Sequence, residues 1–83
     1  MQGVTQTEYL CLLNIRLRKH ERYVAGMEFL AYPNPRKPEK ASGYNWVDGD
    51  GWHGVYVAVA NKVKAKYFVD YALSGGDEVR NGG

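Results

Sequence analysis

LCLLNIRLRKHERYVAGMEFLA, residues Leu10 to Ala31, places Leu10, Leu13, Leu17, His20, Val24, Met27 and Ala31 at alternating intervals of three and four. That spacing puts all seven on one face of a continuous helix. Working backwards, Thr5-Gln6-Thr7-Glu8 has the form of a capping box, with the Thr5 hydroxyl and the Glu8 carboxylate each reaching the other residue's amide. Working forwards, Gly26 weakens the pattern by about 1 kcal/mol relative to alanine. Pro33-Asn34-Pro35 must end it. The expected helix buries Tyr9, Leu10, Leu13, Leu17, Tyr23 and Val24 and exposes Asn14, Arg18, Glu21, Arg22 and Ala25. A rival pattern exists: Leu13, Ile15 and Leu17 alternate with Asn14, Arg16 and Arg18, as in a half-buried strand. The longer match and the cap favour the helix.

Residues 33–43 hold all three prolines among charged side chains and read as a linker. Beyond them the chain turns aromatic and β-branched. Tyr44-Asn45-Trp46-Val47 reads as a strand, and Asp48-Gly49-Asp50-Gly51 as a turn. Trp52 to Ala60 reads as a second strand with Val55, Val57 and Val59 on one face. After a loop at Ala60-Asn61-Lys62, Val63, Ala65, Tyr67, Val69 and Tyr71 form the inward face of a third strand. A helix over 62–73, burying Ala65, Phe68, Val69 and Ala72 and capped by Gly75, is the alternative for that last segment, giving an α-β-β-α order. Residues 1–4 read as a loose lead-in and residues 74–83 as a flexible tail.

The expected fold is therefore α+β: one long N-terminal helix on a three-stranded antiparallel meander, in a single domain covering 1–83. The helix stripe (Leu10, Leu13, Leu17, His20, Val24, Met27) is longer than such a sheet and would overhang it. A second copy of the chain is the expected cover, hence a homodimer. His20 in that stripe reads as a hydrogen-bonded interface residue that fixes register, with a pH-sensitive contact as the sharper alternative.

Composition narrows the function classes. With 83 residues and a net charge of +2, the chain has a small core and no overall charge that demands a polyanion. Cys11 is the single cysteine, so no internal disulfide forms; with no signal-like start, a reducing cytoplasmic setting is expected. No apolar run approaches the roughly 18 residues of a membrane span.

Catalytic arrangements fail on spacing. Cys11 and His20 lie nine residues apart, about half a turn out of phase and roughly 13 Å along a helix. Nothing in the pattern brings His53 to Cys11. One cysteine and two histidines do not make a zinc site. The start of a calcium loop at Asp48 lacks its closing glutamate, because position 59 is valine. Pro35-Arg36-Lys37-Pro38 has the Pro-x-x-Pro form but sits in the linker. The serines, Ser42 and Ser74, flank no nucleophile motif. No enzyme activity, cofactor, metal or small-molecule substrate is expected.

One constellation stands out. With the valines inward, Trp52, Tyr56, Lys64, Lys66 and Phe68 share the outer face of the sheet. Arg16, Arg18, Lys19 and Arg22 add a basic cluster on the helix. Exposed aromatic rings mark protein interfaces. Interleaved with lysines they also suit nucleic acid, whose bases stack on rings while phosphates meet ammonium groups. The sequence thus points to a small interaction module binding a protein partner, with nucleic-acid binding as the alternative. An accessory protein of a phage or other mobile element fits a short chain of this kind.

Overall fold

The computed structural model describes residues 1–73; the expected tail at 74–83 lies outside them. The chain is a small α+β domain. In order, β1 (Gln2–Val4) leads into helix α1 (Gln6–Arg18), then strand β2 (Phe29–Tyr32), a short 3-10 turn (Pro38–Lys40), strand β3 (Gly43–Trp46), helix α2 (His53–Lys66) and strand β4 (Tyr67–Val69). β2 and β3 pair antiparallel, Phe29 opposite Trp46 and Tyr32 opposite Gly43. β1 and β4 pair parallel, Gln2 opposite Tyr67 and Val4 opposite Val69. Two small sheets thus replace the expected three-stranded meander.

The capping box opens α1 as expected. The Glu8 amide donates to Thr5 Oγ1 (3.1 Å), and the Thr5 amide donates to Glu8 Oε1 (2.9 Å). The helix is shorter than the stripe implies. Arg18 is its last residue; the amides of Lys19 and His20 close back on Arg16 and Leu17 in tighter turns. A bend at Gly26 (φ +106°) then carries the chain into β2. Leu13, Leu17, Met27 and Ala31 are nevertheless all buried. Four of the seven stripe positions are thus inward, while the backbone beyond residue 18 is not the helix the stripe implies. Met27 and Ala31 reach the core from a loop and a strand, whereas Val24 is about half exposed, at 49%.

The segment from Trp52 is the larger correction. It is not a strand but α2, starting earlier than the helix considered for 62–73. Val55, Tyr56, Val59 and Val63 are buried, a spacing of a helical face, while Val57 is exposed. Val55, Val57 and Val59 satisfy an alternating pattern and Val55, Val59 and Val63 a helical one. The helix wins because α1 offers a packing partner, and tertiary burial overrides the β preference of valine. The lead-in 1–4 is also more than loose chain: β1 pairs with β4, and Val4 is buried. The turn after β3 is present, but it delivers the chain to a helix N-terminus rather than to a hairpin partner.

One core results, built from Leu13 and Leu17 of α1, Met27, Phe29 of β2 and the inner face of α2. Its centre is aromatic. Tyr56 stacks on Trp46 (5.0 Å, 8°) and meets Phe29 edge-on (5.2 Å, 78°), and Phe29 meets Tyr44 edge-on (5.5 Å).

Candidate functional site

Two surface features stand out among the described residues once that core is closed. The larger is a groove of about 490 Å³ beside the β1–β4 pair, bounded by α1 and the start of β3. Tyr9 and Leu10 come from the first turns of α1, Tyr44 from β3, and Tyr67 and Phe68 from β4; Tyr71 follows β4. Lys64, from the last turn of α2, stands at its edge. Among the described residues the lining includes no carboxylate, histidine or cysteine. Tyr9 and Tyr44 lie with ring centroids 6.3 Å apart. Burial, and then the neighbouring Tyr44, push the Tyr9 phenol above its ordinary pKa.

The second feature is a shallow depression of about 160 Å³ where α1 packs on α2. Leu12, Ile15, Val63 and Tyr67 form its apolar lining. Arg16 and Lys19 on one side and Lys62 and Lys66 on the other surround it with cations.

The outward face expected for Trp52, Tyr56, Lys64, Lys66 and Phe68 does not assemble. Because the segment is helical, its alternate residues diverge. Lys64 goes with Phe68 to the groove, and Lys66 goes to the depression. Tyr56 is wholly buried. Its hydroxyl accepts from the Glu28 amide (3.1 Å) and donates to the Val47 carbonyl (2.6 Å), tying the end of the β2–β3 pair to α2. Trp52 occupies the N-cap position of α2 without a side-chain capping hydrogen bond, and its indole lies over Gly49. A Cβ at Gly49 would collide with the Trp52 ring, so a larger residue there must displace the indole.

The Arg-rich cluster divides as well. Arg16 and Lys19 reach the depression, while Arg18 and Arg22 are exposed and line neither feature. Of the stripe, Leu10 and Leu13 border the groove and Leu17 lies in the core. His20 sits past the helix end, its Nδ1 accepting from the Arg22 amide (3.0 Å), so its contact is a local turn.

Cys11 is exposed on α1, and His53 packs against Trp46 (5.6 Å). Neither lines the groove or the depression. Among the described residues no three His, Cys, Asp or Glu side chains gather to hold a metal ion. No helix among them is long and apolar enough to cross a membrane.

The sequence reading missed Tyr9, Tyr44, Tyr67 and Tyr71 as a set. Seven tyrosines in 83 residues were the available signal. Their convergence depends on the parallel β1–β4 pairing, which no local pattern encodes. Comparison with protein-family models, with curated proteins and with solved structures finds no match.

Proposed function

We propose that the chain is a small non-enzymatic interaction module of the cytoplasm that seats an apolar segment of a protein partner in the aromatic groove. One observation carries this reading. A cavity of about 490 Å³ walled by four tyrosines, a phenylalanine and aliphatic side chains stays open beside a core that is already closed. Its volume falls in the range of roughly 300–1,000 Å³ typical of binding clefts. Rings that combine a large apolar face with a polar tip are the side chains that dominate protein-interface energetics.

The heptad stripe argues less for self-association than its spacing suggests, since Leu13, Leu17 and Met27 are buried within the chain itself. A homodimer is then a competing arrangement, in which a second copy takes the groove.

Peptides selected from a displayed random library against the full chain test the proposal. Phe68→Ser and Tyr71→Ser alter partly exposed positions, at 43% and 53%, and so spare the core. Each is expected to weaken a selected apolar peptide about 30-fold, the hot-spot scale, with little dependence on salt. Arg18→Ala, away from the groove, leaves affinity unchanged. Peptides indifferent to both groove substitutions overturn the reading. So does a stable dimer in sedimentation that Phe68→Ser dissociates, which would make the second copy the occupant.

A further inference from the structure

The basic residues on the two helices come from distant parts of the chain, yet the fold sets them around one depression. Arg16 lies in the last turn of α1 and Lys19 is its C-cap residue three positions on, while Lys62 and Lys66 are four apart on α2 and share a helical face. Packing of α1 against α2 brings the two pairs to opposite rims of the same floor of Leu12, Ile15, Val63 and Tyr67. Among the described residues no acidic side chain lines it, and none of the four cations is paired with a carboxylate. Four like charges so placed create a local positive potential that the net charge of +2 conceals.

We propose that this depression binds the phosphodiester backbone of a nucleic acid. Two rows of cations, one per helix, meet successive phosphates, and the apolar floor accepts the sugars between them. Tyr67 favours nucleic acid over an acidic peptide. It lines the floor and also the adjoining aromatic groove, so a strand leaving the cations meets a ring on which a base stacks. An acidic protein segment engages the cations but has no use for that ring. The cations of this site lie outside the groove lining, and Tyr67 is the residue the two features share.

The test is fluorescence anisotropy of the full chain with a labelled 20-nucleotide strand and its duplex, from 50 to 200 mM salt. Four phosphate contacts predict a log–log salt slope of about −2.8 for the single strand and about −3.6 for the duplex, which is a loss of roughly 50- and 150-fold over that range. Lys62→Ala with Lys66→Ala, both exposed positions, is expected to weaken binding at least tenfold at 50 mM and to reduce the slope by about 1.5. Arg18→Ala with Arg22→Ala removes the same charge elsewhere and should bind within about twofold of the unaltered chain. Circular dichroism checks that both variants keep their helices. Absence of binding to either oligonucleotide at 50 mM overturns the proposal. Equal losses in the two double variants also overturn it, since net charge alone would then account for binding. Binding of polyglutamate with none of either oligonucleotide would assign the depression to an acidic protein segment instead.

Discussion

Replacing Tyr56 by phenylalanine removes one oxygen from the centre of the core and strands two backbone groups, the Glu28 amide and the Val47 carbonyl. Part-buried groups left without partners cost about 1 kcal/mol, so Tyr56→Phe is expected to lower the urea midpoint by that equivalent while leaving the slope unchanged. The same hydroxyl makes stability depend on alkali. Burial, with smaller contributions from the charges of Asp48, Glu28 and Tyr23, raises the Tyr56 pKa; the hydrogen bond from the Glu28 backbone opposes this. The folded state therefore holds the proton more tightly than the unfolded chain. That contribution is complete below the unfolded value near 10 and is lost as pH rises through the folded value. Urea midpoints measured between pH 8 and 11 should fall less steeply for Tyr56→Phe than for the unaltered chain; parallel declines would show that Tyr56 is not the group responsible. Nothing in the local sequence reveals this role, because a tyrosine beside Val55 and Val57 fits the outer face of a strand as readily as the inner face of a helix.

At the scale of elements, the tie between α1 and β2 rests on Asn14. Its side-chain amide donates to the Phe29 carbonyl (3.1 Å), and its side-chain oxygen accepts from the Phe29 amide (2.8 Å). A helix side chain thus substitutes for a missing strand neighbour and satisfies an edge that would otherwise be open. Asn14→Leu keeps the approximate volume and removes both bonds. It is expected to cost about 1–3 kcal/mol and to speed amide exchange at Phe29 specifically; unchanged protection at that amide would refute the tie. The ends of the elements were legible to different degrees. The start of α1 was written locally, in Thr5 and Glu8. Its end was not, because Leu17, His20 and Val24 continue the spacing after the backbone has turned away. β3 was legible within one residue, since Tyr44, Asn45 and Trp46 combine strand-forming side chains with flanking turn residues.

Across the whole molecule, the closing element is the parallel pair β1–β4, which joins the two ends of the described chain. Val4 is buried, and its carbonyl accepts from the Asp70 amide (2.8 Å). Gly3 lies so close to β4 that an added Cβ would sit 3.0 Å from Asp70 Cβ and from the Phe68 ring. Val4→Asp places a charge at a buried apolar position, at several kcal/mol. A loss of 1 kcal/mol lowers Tm by roughly 4–8 °C in a domain of this size, so a fall beyond about 10 °C is expected. A change of under 2 °C would mean that β1 is not part of the folded unit. The amino-acid sequence alone determined the α+β class, the capped start of α1, strand β3, and the inward positions Leu13, Leu17, Met27 and Ala31. Each depends on a cap or a periodicity contained within a few neighbouring residues. The helical state of 53–66, the parallel closure of the ends, and the gathering of tyrosines into one groove and of Arg16, Lys19, Lys62 and Lys66 into one depression were decided only by the tertiary structure. They depend on packing between segments far apart in the chain, where the burial of α2 against α1 outweighs the strand preference of its valines.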